Sequence, residues 1–441
     1  MSDVLDPHRA ATAELDTAPV PEALRPPAAP VSLRFQLLLG LAGVGIWLTG
    51  DPVVTLLIPT QVTKLTPNNA ATGLAVVTTV GAVVALLVNV VIGALSDRTT
   101  SSLGRRRPWI MGGMLVSAIA LTLLARAPSI AVLTLAWGLA QAGSNTMICT
   151  TAAAIPDRVP DRQRGVASAI YGLAVPVALF VGSILLGSVI AGVAAGYYAL
   201  VLLMLAAVTP FVLTQRDPAL PSGALAPVTI RGFIAGFWIS PRRHRDFALA
   251  WITRFLVILG YVLGVGSFLF LYVQKVLRYE VRFPGHQTKE GVATLLVIAI
   301  VAELPAALGA AVLSDRLQRR KVFVIVSSLV ITVALALIAV FHSWTVARVA
   351  ALLMGLGFGS YIAVDSALIT QVLPSASSRA RDLGIMSISN LVPGTVGPLV
   401  GAGLINAFGQ DSATGYTVLF GVAAGLTLLS AMLVQRIQSV A

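Results

Sequence analysis

Three acidic side chains lie inside long apolar runs of the sequence, those of Asp51, Glu303 and Asp365. An ionised carboxylate at the centre of a bilayer costs at least about 2.5–3.5 kcal/mol, so such an acid is expected to face a cavity or to carry a proton. Pro52 and Pro305 closely follow two of the acids, and proline removes a backbone hydrogen bond and can kink a helix. We predict that at least one acid binds and releases a proton; the alternative is that each acid makes a structural hydrogen bond.

A cation and several polar or aromatic side chains could complete a site around these acids. Arg254 lies near one end of its apolar run and is their expected counterpart. Recognition of a hydroxylated solute requires amide or hydroxyl groups and an aromatic platform. The candidates inside the runs are Trp47, Gln141, Asn145, Tyr171, Tyr261, Tyr361, Ser389 and Asn390. Packing or contact with lipid explains each of them equally well, since Trp and Tyr near span ends usually belong to the interfacial belt.

Catalytic and metal-binding sites find no support in the sequence. The four histidines form no zinc spacing, and none lies well inside an apolar run. Cys149, the single cysteine, is interpreted as a small packing residue. The sequence has no Walker loop, so ATP is not expected to drive the protein. We expect no enzymatic activity, no metal and no cofactor, with the proton as coupling ion.

The apolar runs themselves define the fold class. Of the 441 residues, 57% are hydrophobic and 11% charged, whereas a soluble protein has about 25% charged residues. Each run has about 18–29 residues, close to the length that crosses a bilayer as a helix. Only helices and closed barrels satisfy the backbone in lipid, and these runs are too long for barrel strands, so we predict an all-α membrane protein. The twelve predicted spans lie near residues 36–62, 70–95, 110–127, 130–155, 165–190, 197–214, 248–276, 291–313, 322–341, 346–372, 383–406 and 415–435.

The distribution of basic residues predicts the orientation of the chain. With both termini on one side, that side holds 23 of the 30 Lys and Arg residues, and the other side holds seven. The positive-inside rule then places both termini in the cytoplasm. The net charge of +12 follows from these short clusters, so nucleic acid is not an expected partner. We predict an integral protein of a bacterial-type inner (cell) membrane, with the lipid bilayer as its environment.

Two segments lack the pattern of membrane spans. Residues 1–32 are rich in Asp, Glu and Pro, which predicts a disordered cytoplasmic tail. Residues 215–247 contain four prolines and predict a cytoplasmic linker, in which 231–240 could form an amphipathic surface helix. The chain is thereby divided into a six-helix half at 33–214 and a second at 248–441.

The two halves share a short sequence repeat. Leu-Ser-Asp97-Arg98 after the second span recurs as Leu-Ser-Asp315-Arg316 after the eighth. Two parallel halves with a binding site between them near the midplane are a transporter architecture.

The segment from Gly93 to Ile110 carries Asp97-Arg98 and then Gly104-Arg-Arg-Arg-Pro-Trp. This pattern resembles the loop between helices 2 and 3 of the major facilitator superfamily. Its spacing is similar to that of the glycoside–pentoside–hexuronide symporters and the sucrose–proton symporters. The resemblance covers about residues 33–436 and implies the major facilitator fold, with twelve helices in two six-helix halves, and a sugar as the small-molecule substrate.

The resemblance also implies a cytoplasmic gate. In the family, the matching Asp meets a helix N-terminus of the other half, and Arg pairs with an acid at the end of helix 4, here Asp157. A carboxylate near a helix N-terminus gains about 0.3–1 kcal/mol, and this contact would favour the outward-open state. The alternative is that the arginines only set topology. The expected gate residues are Asp97, Arg98, Arg105, Arg106, Asp157, Arg164, Asp315 and Arg316.

Three functions stay open at this point. The leading hypothesis is proton-coupled symport of a sugar or glycoside by a monomer that works by alternating access. The second is proton-coupled export of a drug or secondary metabolite. The third is a membrane sensor or enzyme without transport, against which stand the repeat and the lack of a catalytic set.

Overall fold

The computed structural model describes residues 22–24, 27–221, 245–266, 268–372, 379–409 and 411–437. The amphipathic helix expected at 231–240 and most of the expected tail lie outside these residues. The long helices are α1 (Leu33–Leu65), α2 (Ala70–Asp97), α3 (Arg107–Ala125), α4 (Ile130–Arg158), α5 (Asp161–Val189), α6 (Val193–Thr214), α7 (Arg245–Val276), α8 (Thr288–Leu317), α9 (Arg320–Val340), α10 (Trp344–Val372), α11 (Arg379–Phe408) and α12 (Ala413–Val434).

The predicted all-α membrane fold is confirmed, and the twelve predicted spans match these helices to within four residues at either end. Eleven of the described helices are long and apolar enough to cross a membrane. The twelfth, α4, is less apolar because it carries polar residues such as Gln141 and Asn145. Serine side chains cap the starts of two helices: the hydroxyl of Ser32 accepts from the N–H of Phe35 at the start of α1, and that of Ser129 accepts from the N–H of Val132 at the start of α4.

The helices pack mainly within two groups, α1–α6 and α7–α12. In the first group α2 packs on α4, α3 packs on α6, and α6 packs on α1. In the second group α8 and α9 pack on α10, and α12 packs on α7 and α9. Between the groups, α2 packs on α11 and α5 packs on α8. The start of α1 and the end of α12 lie on the same side of the bundle, where Val31 bonds to Gln163 at the start of α5 and Lys321 at the start of α9 bonds to Ile437. This side carries the arginine-rich loops, and we call it the basic end.

The contact of α2 with α11 contains two hydrogen bonds between the halves. The amide of Asn406 donates to the hydroxyl of Thr72 at 2.8 Å, close to the end of the bundle opposite the basic end. The hydroxyl of Thr79 donates to the carbonyl oxygen of Thr395 at 3.2 Å, two turns further into the membrane.

The contact of α5 with α8 is built around a buried lysine. Lys289 is 3% exposed, and its ammonium group donates to the carbonyl oxygens of Ile190 at 2.5 Å and Ala191 at 3.1 Å. One turn further in, a Cβ atom on Gly187 would lie 2.3 Å from that of Ala293. The two halves are therefore joined at the end of the bundle opposite the basic end.

Candidate functional site

Two of the three membrane acids lie on helices of different halves that pack on each other. Asp51 lies in the middle of α1 and Glu303 in the middle of α8, and their carboxyl groups are close enough for their charges to interact. The phenol of Tyr261, from the middle of α7, lies in the same electrostatic environment. Its ring stacks on Phe358 of α10, with ring centroids 3.8 Å apart. Four helices from both halves thus place two acids and an aromatic pair at one depth.

A break in α1 presents Asp51. The α-helix ends at Leu48, and the hydroxyl of Thr49 bonds back to Ile46. The chain resumes through Pro52 as a π-helix over Val53–Leu57. Such widened turns are frequent at functional sites.

Helix α5 packs tightly against this break. A Cβ atom on Gly182 would lie 2.3 Å from the ring of Pro52. The position of Asp51 is therefore fixed by backbone contacts as well as by its own helix.

Glu303 is positioned by a glycine stripe on α10. A Cβ atom on Gly359 would lie 2.3 Å from the carbonyl oxygen of Glu303, and one on Gly355 would lie 2.0 Å from that of Ala299. Helices α8 and α10 therefore approach to backbone contact at the depth of the acid. Pro305 lies in α8 without ending it.

The third acid forms a separate network within the second half. Asp365 of α10 is 2% exposed and accepts a 2.6 Å ion pair from the guanidinium of Arg254 on α7. The same guanidinium donates to the side-chain oxygen of Asn390 on α11 at 2.8 Å. Tyr361 is fully buried one turn before Asp365. The structure therefore pairs Arg254 with Asp365, and Asp51 and Glu303 have no ion-pair partner among the described residues.

The predicted amides of the first half form a third group. The side-chain nitrogen of Asn145 donates to the carbonyl oxygen of Gln141 at 2.9 Å, and its oxygen accepts from Asn89 of α2 at 3.0 Å. The thiol of Cys149 donates to the side-chain oxygen of Asn89. Asn89 and Cys149 were not among the sequence candidates for binding; the i, i+4 spacing of Gln141, Asn145 and Cys149 was the available signal.

The remaining candidates make local contacts. Trp47 lies one turn before Asp51 and packs against the apolar core. The hydroxyl of Tyr171 donates to the carbonyl oxygen of Ile148 at 3.4 Å. These side chains join neither carboxyl group in a hydrogen bond within the described residues.

The arginine-rich loop is held at the basic end by acids of its own half. Asp157, at the end of α4, accepts ion pairs from Arg105 at 2.7 Å and from Arg106 at 2.9 Å. Asp97 contacts Arg106 at 2.5 Å rather than a helix of the second half. Burial acts to lower the pKa of the Arg106 guanidinium, but the carboxylates of Asp157 and Asp97 outweigh burial and raise that pKa above its usual value. Arg106 therefore stays charged at the centre of this cluster.

Asp217, just beyond α6, completes the loop and was not expected from the sequence. Its carboxylate accepts hydrogen bonds from the backbone N–H groups of Arg106 at 2.7 Å and Arg107 at 2.8 Å. These groups open α3, where a negative charge is favourable. Gly104 has φ +104°, and a Cβ atom there would lie 2.4 Å from Asp217. Only glycine satisfies both conditions without strain.

The second half repeats part of this arrangement with a different arginine. Asp315 pairs at 2.9 Å with Arg320, which also donates to the carbonyl oxygen of Ala367 on α10 at 3.2 Å. Arg320 thus joins the ends of α8, α9 and α10, much as Arg106 joins α2, α3 and α4. In both halves the arginine that pairs with this aspartate comes from the start of the next helix, Arg106 in the first half and Arg320 in the second, and not from the residue after the aspartate.

The other predicted gate residues lie outside these clusters. Arg164 pairs with Asp161 at 2.5 Å and donates to the carbonyl oxygen of Val159 at 3.0 Å, at the junction of α4 and α5. Arg98 and Arg316 form no ion pair with any carboxylate in the part of the chain that the structure describes.

Known proteins with the same fold are transporters. The family model described as Major Facilitator Superfamily matches residues 37–301 and 283–438. The nucleoside transporter NupG has a TM-score of 0.68 and 15% identity, covering 92% of this chain and 99% of its own. A mutant of the peptide transporter POT has a TM-score of 0.70 and 15% identity, covering 95% and 98%. A bacterial homologue of the human lysosomal transporter Spinster, inward-facing and occupied, has a TM-score of 0.67 and 16% identity, covering 93% and 97%.

These structural likenesses are below 25% identity and show the fold alone. A comparison with curated protein sequences gives no match.

Proposed function

The chain belongs to the major facilitator superfamily, and from this premise we propose that it is a proton-coupled symporter of a neutral sugar or glycoside, working by alternating access. The family match and the transporter neighbours indicate a transporter rather than an enzyme. The observation that carries the proposal is that Asp51 and Glu303 lie in the middle of α1 and α8, one in each half, where the turn that follows Asp51 packs on α8.

The carboxyl pair supplies a proton site with a built-in link to conformation. Two carboxylates that share a poorly solvated site are not both ionised without strong repulsion, so the pair favours holding a proton. Asp51 moves with the first half and Glu303 with the second. A proton on the pair permits the halves to approach at this depth, and its loss drives them apart. Proton loading and release are thereby coupled to the movement of the halves.

The contacts that join the halves at the end opposite the basic end support a state in which the space between the halves is open at the basic end. Lys289 and Gly187 join α5 to α8 at the opposite end, whereas Asp97 is held within its own half. We assign the basic end to the cytoplasm, because its excess of Lys and Arg follows the positive-inside rule. In this assignment the structure corresponds to the inward-facing state, in which proton and substrate are released. The protein would work as a monomer in the inner membrane.

The chemistry around the acids supports a neutral, hydroxylated substrate. The stacked rings of Tyr261 and Phe358 offer an aromatic plate beside the carboxyl pair, and Asn145 offers an amide from the other half. The guanidinium of Arg254, whose side chain is 11% exposed, is already matched by the carboxylate of Asp365. An anionic substrate would have to displace that partner, whereas a sugar would not.

Transport into liposomes tests the proposal. The purified protein is reconstituted, a pH gradient (alkaline inside) is imposed, and labelled mono- and disaccharides are offered beside lipophilic cations. Wild-type protein is expected to accumulate at least one sugar, and the accumulation should vanish with a protonophore. Asp51→Asn and Glu303→Gln are expected to abolish accumulation but to keep sugar exchange between equal concentrations.

Asp411→Asn is the matched control, because Asp411 pairs with Lys275 at 2.6 Å on the exposed surface. It should accumulate sugar like the wild type. Movement of lipophilic cations against the gradient without any sugar flux would contradict the proposal and support an exporter instead.

A further inference from the structure

The amide pair of the first half has bonding capacity that its own contacts do not use. Each asparagine side chain has two N–H donors and an oxygen that accepts up to two bonds. Asn89 gives one N–H to Asn145, and Asn145 gives one N–H to the backbone of Gln141. In an apolar helix bundle, polar groups are costly unless they are bonded. One N–H of each amide and part of each oxygen therefore remain for a ligand.

The contacts of α2 show which way Asn89 points. Thr79 faces α11, and Gly81 faces Trp137 of α4. With 3.6 residues per turn, Asn89 lies about 80° around the helix from each of these two residues, midway between them. Leu87, which is 59% exposed on the outer surface, lies roughly opposite. Asn89 is therefore aimed at the space bounded by α4 on one side and α11 on the other, which is the space between the halves.

The amides of α4 lie on the matching face. Ser144 contacts Thr49 of α1 at 2.9 Å, and the next residue, Asn145, contacts α2. The face between these two contacts carries Gln141, which is half-buried. Helices α1, α2 and α4 thus enclose the amides from three sides; Asn145 is 8% exposed and Asn89 is half-buried.

We propose that Asn89 and Asn145 form the first half's binding site for the hydroxyl groups of the substrate, with the thiol of Cys149 at its edge toward the basic end. This inference rests on the proposed function, since it assigns the site to a neutral, polyhydroxylated solute. A hydroxyl group both donates and accepts, so it matches the free N–H and the free oxygen position of the amide pair. A charged solute finds no opposite charge in this group of side chains.

Along the axis of the bundle, the amide pair lies where a substrate would pass on its way from Asp51 and Glu303 to the basic end. Asn89 lies eight residues before Asp97, which is about 12 Å along the helix. Cys149 lies one turn further along α4 and within the electrostatic influence of Arg106. The amide pair therefore lies between the central acids and the arginine-rich loop.

Kinetics of an amide variant test the binding role. Asn89→Leu is expected to raise the KM for sugar about tenfold, the loss expected from one to two hydrogen bonds, with an unchanged maximal rate. Asn89→Gln, which keeps an amide, should recover part of the affinity. Asn69→Leu is the matched control, because the side chain of Asn69 is exposed just before α2, outside the proposed site. An unchanged KM in Asn89→Leu, with sugar uptake by the wild type, would overturn the inference and leave the proposed function standing.

Labelling of Cys149 tests the exposure of the site without any sugar. Because Cys149 is the one cysteine of the sequence, a membrane-impermeant methanethiosulfonate reports on this position alone, with Cys149→Ser as the blank. We expect labelling when the reagent is applied to the face that carries the termini, and slower labelling from the other face. Absence of labelling in the native protein, with full labelling after denaturation, would overturn the inference. A wild type that carries no sugar would refute the proposed function, whereas this labelling result would still decide whether the amide cluster lines the path.

Discussion

The three membrane acids differ in their partners, and the difference assigns them different roles. Asp365 is neutralised by Arg254 at 2.6 Å inside one half, so its charge does not change the contact between the halves. Asp51 and Glu303 have no ion-pair partner among the described residues, and each belongs to a different half. Movement of the halves therefore changes the electrostatic energy between Asp51 and Glu303, but not that of the ion pair between Arg254 and Asp365. We therefore place proton coupling at Asp51 and Glu303 and a structural role at Arg254 and Asp365.

Removal of one partner tests the structural role of the buried ion pair. Arg254→Leu leaves the carboxylate of Asp365 buried without a cation, which typically costs about 3–5 kcal/mol. We expect a large fall in the thermal unfolding temperature in detergent, and a partial recovery in the double variant Arg254→Leu, Asp365→Leu. Equal losses in the single and double variants would contradict the assignment.

Transport by a conservative variant separates the two roles. Asp365→Asn keeps the size and hydrogen bonding of the side chain, so the folded protein should retain accumulation of sugar driven by the pH gradient. Loss of accumulation in Asp365→Asn, with exchange intact, would move the coupling site to Asp365.

At the scale of elements, the loop between α2 and α3 depends on a residue from beyond α6. Asp217 accepts from the N–H groups of Arg106 and Arg107 at the start of α3, and Gly104 leaves room for its carboxylate. The capping contact joins the start of the linker to the loop that carries Arg105 and Arg106.

Substitutions at this contact should have graded effects on stability. Asp217→Ala leaves two N–H groups without a side-chain acceptor, and loss of such a cap costs about 0.5–2 kcal/mol. Gly104→Ala is expected to cost more, because it combines φ +104° with a collision against Asp217. Unfolding temperatures of the two variants and of Asp217→Asn check the order. A Gly104→Ala variant as stable as the wild type would refute this account of the loop.

The close packing of α8 on α10 at Gly359 gives a second testable prediction at the scale of elements. Gly359→Ala brings a methyl group to 2.3 Å from the carbonyl oxygen of Glu303, so the helices must separate and displace the acid. Gly421 of α12 has no neighbouring atom within 4 Å of the position of a Cβ and supplies the control. We expect Gly359→Ala to lose most proton-driven uptake and Gly421→Ala to keep it. Equal uptake in the two variants would contradict the role of the glycine.

The sequence predicts elements better than it predicts contacts. Long apolar runs locate the twelve helices because lipid leaves the backbone no alternative to helix over such lengths. The pairing of the loop arginines with Asp157 follows from a known pattern. The partners Asp217 and Phe358 do not, because they depend on how a loop folds back and how a helix is rotated. No periodic pattern of residue types in the sequence indicates either property.

At the scale of the whole molecule, closure at the end opposite the basic end rests on few groups. The ammonium group of Lys289 is bonded to two carbonyl oxygens at the end of α5, where the helix dipole favours a cation. The contact of Gly187 with Ala293, the hydrogen bond of Asn406 to Thr72 and the packing of Phe268–Leu271 on α1 and α2 add to the closure. Closure of this kind is strong enough to hold one state and weak enough to open during the cycle.

Removal of the ammonium group should shift the population toward the state that opens at this end. Val189 and Val281 are exposed there, one from each half, and accept spin labels as cysteines in a Cys149→Ala background. Lys289→Met is expected to increase the fraction of long distances between the labels. Lys275→Met, which removes an exposed ion pair with Asp411 at the same end, should leave the distances unchanged. A distribution in Lys289→Met identical to the wild type would contradict the closing role.

The movement of protons caused by the substrate itself tests the central claim most directly. Sugar is added to the outside of lightly buffered, de-energised vesicles that carry the protein, and the pH of the medium is recorded. The account predicts that wild-type protein makes the medium alkaline as sugar enters, and that the double variant Asp51→Asn, Glu303→Gln gives sugar flux without any pH change. Sugar entry without a pH change in the wild type, or an undiminished pH change in the double variant, would contradict it.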